Sequence, residues 1–138
     1  MNTKSILAGL AGGVFAFLAG WLVYGLLLMD FTLSNTTTYA GLMKDPPDMV
    51  FLVISNLAWG FLYAYIYHRW ANIKSFSAGF MGALPISFIL IVMFDTSMYA
   101  FYNLINLTGT MVDIVVGTIF GGLIGGVVGL VLGTGKKE

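Results

Sequence analysis

Cysteine is absent from the 138 residues of this chain. That excludes disulfide exchange, thiolate metal sites and thiol oxidation linked to a quinone. Charge is nearly absent too. Six basic and six acidic residues amount to 9% of the chain and cancel to zero, against about 25% in an ordinary soluble domain. A neutral chain has no global field to gather nucleic acid. It also has no phosphate-binding Gly-rich loop with Lys-Ser/Thr, no zinc-spaced ligand set and no RNA-binding aromatic motif. His68 is the only histidine, so a bis-histidine haem site within one chain is excluded and no cofactor is expected. No Ser/His/Asp arrangement is available in the apolar segments, and the expectation is that the protein is not an enzyme.

What the chain does have is apolar length. Hydrophobic residues make up 59% and the mean hydropathy is +0.93. Four segments, about 5–29, 49–70, 75–97 and 111–132, each offer the roughly 20 residues needed to cross about 30 Å of hydrocarbon. The first is too long for the short core of a signal peptide and reads as a retained helix. The expected fold is therefore all-α, a single integral membrane domain over 1–138 built as a four-helix transmembrane bundle. Lys4, Arg69, Lys74, Lys136 and Lys137 fall on one side of it and only Lys44 on the other. The positive-inside rule then places both termini in the cytoplasm. Tyr67 and Trp70 suit the inner boundary, and Tyr24, Phe31, Tyr99 and Tyr102 the outer one. A bacterial inner membrane suits so compact a chain with such small loops.

Glycine is the second abundance, at 18 residues. Gly117, Gly121, Gly125, Gly129 and Gly133 recur at every fourth position of the last segment, with Gly122 and Gly126 beside them. In water each would cost a helix roughly 1 kcal/mol relative to Ala. In a bilayer the helix persists, and the missing side chains admit another helix to backbone distance. Segment one has its own small-residue ladder, Ala8, Gly12, Ala16 and Gly20, with Gly9 and Gly13 adjacent. The two ladders predict packing between the first and fourth helices. A second reading has the fourth helix line the axis of a homo-oligomer. Segment three adds Ala78 with Gly82 and Gly79 with Ala83, whereas segment two is bulky. Pro85 removes one hydrogen bond from segment three and can kink it.

Three aspartates are candidate ion or proton sites. Asp95 falls where segment three runs on beyond Phe94, near the outer boundary, where a carboxylate is costly unless paired, protonated or wet. Asp113 sits at capping-box spacing from Thr110 and complements a helix N-terminus. Asp30 closes segment one at the same outer level. Their depths allow the three to converge on one vestibule, with Tyr24, Tyr99 and Asn103 nearby. Elsewhere, Asp48 reads as an N-cap and Asn56 as an interhelical hydrogen-bonding residue. Asn35-Thr36-Thr37 and Asn106-Leu107-Thr108 match the glycosylation triplet.

Gly20-Trp21-Leu22-Val23-Tyr24-Gly25 resembles the Trp/Tyr-Gly signature of a bacterial family of small four-helix membrane proteins. Gly79-Phe80-Met81-Gly82 and the glycine-rich last helix are similar in style. The resemblance implies the fold and carries no activity. Small multidrug exporters differ in needing a glutamate in the first helix, fluoride channels in their polar channel motifs, and glutathione-linked four-helix enzymes in their intramembrane Arg and Glu. The expected function is a non-enzymatic structural or assembly component, with the lipid bilayer and a second copy or a membrane complex as partners. The alternative is a homo-oligomeric channel or a proton- or cation-coupled carrier using Asp30, Asp95 and Asp113.

Overall fold

The computed structural model describes residues 1–135 and is all-helical. Lys136 and Lys137, which contributed to the orientation argument, lie outside the described residues. Helix α1 (Thr3–Leu22) continues as a π-helical turn, Val23–Leu27. A short helix α2 (Met29–Asn35) follows. Helix α3 (Met49–Ile66) ends in a second π-helical turn, Tyr67–Ala71. Helices α4 (Phe76–Phe101) and α5 (Leu107–Gly133) complete the chain. Four helical stretches, Thr3–Leu27, Met49–Ala71, Phe76–Phe101 and Leu107–Gly133, are long and apolar enough to cross a membrane. The short α2 is an addition to the four helices expected.

Each long helix begins on a side chain that accepts a hydrogen bond from one of the helix's free N–H groups. Asn2 accepts from Ser5 N at 2.9 Å, Asp48 from Phe51 N at 3.4 Å, Ser75 from Ala78 N at 3.2 Å and Asn106 from Gly109 N at 2.8 Å. The α3–α4 turn closes on Asn72 in the left-handed conformation, φ 46°. This turn and both described termini share one end of the bundle: Gly133 abuts the Lys74 carbonyl, and Gly135 lies beside the Lys4 side chain. The opposite end carries α2 and the α4–α5 loop.

Helix α5 is central and packs against α1, α3 and α4. Helix α1 does pack against α5, as expected, but the closest partner of the α5 ladder is α4. Gly121, Gly125 and Gly129 face α4, where Gly79, Ala83 and Ser87 repeat the same spacing of four. A β-carbon on Gly125 would collide with Ala83 and fall 2.5 Å from the Tyr67 hydroxyl. Helix α1 meets α5 through larger groups, Gly12 against Val128 and Gly20 against Phe120. The closest backbone approach of α1 is instead to α3. Gly60 sits directly on the backbone of Gly9, Gly12 and Gly13. A lone glycine in the bulky helix is enough, because three small residues on α1 supply the rest of the recess. Gly117, Gly121, Gly125 and Gly129 are all buried within one chain.

Two tyrosines, Tyr63 on α3 and Tyr67 in the π-helical turn that follows it, tie this stretch to α4 near the terminal end. Tyr63 and Ser87 share a hydroxyl–hydroxyl bond of 2.7 Å, and Ser87 also donates to the Ala83 carbonyl at 2.7 Å. Tyr67 donates to the Gly79 carbonyl at 2.5 Å. Both rings are fully buried. Helix α4 runs unbroken across Pro85. Tyr67→Phe is expected to lower stability by about 1 kcal/mol, the net worth of one buried hydrogen bond, measured by unfolding in mixed micelles.

Candidate functional site

Beyond the tyrosine bridges the helices part. Helices α3 and α4 scarcely touch, and the gap between them opens a cleft of about 1180 Å³ bounded also by α1 and α5. The walls are apolar and aromatic: Phe17 and Trp21 from α1, Leu52 and Trp59 from α3, Leu90 and Phe94 from α4, Phe120 and Ile124 from α5. Asp95 and Asp113 are the only carboxylic acids among its described lining residues, and none of those residues is basic.

Helix geometry brings these two carboxyl groups together. Helix α5 starts at Leu107 on the Asn106 cap, four residues earlier than the capping-box spacing implied. Asp113 therefore lies six residues inside α5, and the expectation that it initiates the helix is corrected. Helix α4 runs to Phe101, so Asp95 likewise lies six residues from its end. At 1.5 Å per residue both are about 9 Å from the helix ends. They sit at one level on adjacent antiparallel helices, both line the cleft, and each carboxyl senses the other. Asp95 Oδ2 is shielded from solvent and has no hydrogen-bond partner among the described residues. Asp30 does not join them. It is exposed in the first turn of α2 and does not line the cleft.

Tyr24 completes the polar end. Its ring packs edge-on against Phe120 at 6.2 Å, and with Asp113 it lines both the cleft and the smaller hollow beside it. Two features admit it. Tyr24 belongs to the π-helical turn, in which Leu28 N bonds to the Val23 carbonyl at 2.8 Å. Such a turn re-aims side chains and recurs at functional sites. Gly117, one turn below Asp113, leaves the space: a β-carbon there would lie 2.7 Å from Ile91 and 3.5 Å from the Tyr24 hydroxyl. Gly117 thus serves the polar site as well as helix packing. The pairing of Tyr24 with Gly117 has no signature in the chain, since it depends on how α1 lies against α5.

The remaining candidates have other roles. Asn56 lines the cleft, but its amide donates to the Leu52 carbonyl of its own helix at 2.8 Å. Tyr99 and Asn103 line a separate shallow hollow with Asn35 and Asn106. There Asn106 Nδ2 donates to Asn35 Oδ1 at 2.9 Å, Asn106 N to the Asn35 carbonyl at 3.0 Å, and Thr37 N to the Leu104 carbonyl at 2.6 Å. The two asparagines read as glycosylation triplets form a clasp between the α2 and α4–α5 loops. Asn106→Ala removes the side-chain bond of the clasp and the α5 cap and is expected to cost about 1–2 kcal/mol, seen as earlier loss of helicity on heating. His68 and Arg69 are exposed at the terminal end. No family model, curated protein or solved structure matches the chain.

Proposed function

We propose that the protein is a membrane-embedded carrier of cations, with Asp95 and Asp113 as the binding pair and Tyr24 as their neighbour. The observation that carries this reading is the pair of carboxyl groups at one level within an apolar cleft, one oxygen of which has no partner among the described residues. Carboxylates in such surroundings are stabilised by a proton or a cation, and intramembrane acids commonly mark ion and proton pathways. The distribution of Lys and Arg supports a bacterial inner-membrane orientation with the acidic end facing outward. The burial of the glycine ladder within one chain favours a site complete in the monomer over a pore lined by several copies.

The test is flux in proteoliposomes. Cation-driven proton movement, or exchange of one cation for another, is expected with the wild type. It is expected to vanish in Asp95→Asn/Asp113→Asn with helicity unchanged. Equal flux in the double variant overturns the reading. A structural or assembly role is the second reading. Such a role would use the exposed Val50, Phe51, Val53 and Ile54 of α3, an apolar row that a partner membrane protein would cover in place of lipid. Stoichiometric co-purification with such a partner, without flux, would establish it.

A further inference from the structure

We infer that the occupant of the cleft is an amphipathic organic cation, a quaternary or protonated amine on an apolar body, which enters sideways from the lipid between α3 and α4. This rests on Asp95 and Asp113 being a cation site and names what that site takes. Three observations carry it. First, a bare or hydrated inorganic ion would leave most of about 1180 Å³ unfilled. A volume of that size fits a drug-sized ligand or somewhat larger, whose typical pockets span about 300–1000 Å³. Second, the cleft is complementary to such a molecule in charge and shape. Two carboxyl groups occupy one level, and none of the described lining residues is basic to oppose a cation. Trp21, Tyr24, Trp59 and Phe120 bring aromatic rings to the lining, groups to which an ammonium is attracted. Third, the entrance is apolar. Leu52 on α3 and Met93 and Phe94 on α4 line the cleft while themselves 41%, 61% and 64% exposed, so a solute reaches the carboxyls past hydrocarbon-compatible side chains. The tyrosine bridges close this gap only nearer the terminal end.

The placement of the tryptophans supplies the measurement. Trp21 and Trp59 line the cleft, and the third, Trp70, is exposed beyond α3 in the turn at the terminal end. In a Trp70→Phe background all tryptophan emission comes from the cleft. The protein is placed in nanodiscs of zwitterionic lipid and titrated with ω-bromoundecyl-trimethylammonium, with ω-bromoundecanol and ω-bromoundecyl sulfate as chain-matched controls. At equal membrane partitioning, the cation is expected to quench at a concentration roughly tenfold lower than either control, about 1.4 kcal/mol of charge recognition. Asp95→Asn/Asp113→Asn should abolish the difference. Leu52→Phe/Met93→Phe should slow quenching by the long-chain cation, and an unchanged rate overturns the lateral route. Equal quenching by alcohol or sulfate overturns the substrate class, because the cleft then holds any lipid-like chain. If sodium or tetramethylammonium binds at the aspartates while the long-chain cation does not quench, the present inference fails and the cation site stands. If no cation senses the double substitution, both fail.

Discussion

Gly60→Leu is expected to separate α1 from α3 and to cost about 3 kcal/mol or more, the upper range for overpacking. The reason is what surrounds Gly60. A side chain there meets the backbone of Gly9, Gly12 and Gly13, and none of these atoms can turn aside. The whole of α1 must retreat, drawing its contacts with Val128 and Phe120 on α5 with it. The measurement is unfolding in mixed micelles with rising denaturing detergent, read by circular dichroism. Gly20→Ala is the matched control. Its added carbon would meet only the tip of Phe120, at 3.5 Å, an ordinary contact, so a change within about 0.5 kcal/mol is expected. Equal sensitivity at both positions would mean that α1 and α3 are not in backbone contact.

The second large effect has opposite signs in stability and in function. Asp95→Asn is expected to raise the stability of the ligand-free protein by about 1 kcal/mol while removing most cation binding. Asp95 Oδ2 is shielded from solvent with no donor beside it among the described residues, and the group it senses, Asp113, is a second carboxyl. An amide of the same shape carries no charge to desolvate or repel. A carboxylate kept for structural reasons would show the reverse, since its loss would break a satisfied interaction. Parallel unfolding and tryptophan-quenching curves for wild type and Asp95→Asn distinguish the two. A variant that is both less stable and fully competent to bind would remove Asp95 from the site.

The sequence determined the membrane-spanning character of this protein almost entirely. Four apolar runs of spanning length have few other stable outcomes in a chain with so little charge, because lipid forces each run to satisfy its own backbone. Asp48, the spacing of small residues on segments one, three and four, and the candidacy of Asp95 were legible for the same local reasons. Partnership was not. Ladder spacing states that a helix accepts a close neighbour and is silent on which one. The tertiary structure paired Gly121 and Gly125 with Ala83 and Ser87, and Gly60 with α1, through shape complementarity across helices far apart in the chain. It was equally the tertiary structure that set Asp95 beside Asp113 and left Asp30 apart. Depth along a helix follows from counting residues, whereas proximity across a bundle depends on helix rotation. That rotation follows here from close glycine contacts whose partners are decided only when the helices meet.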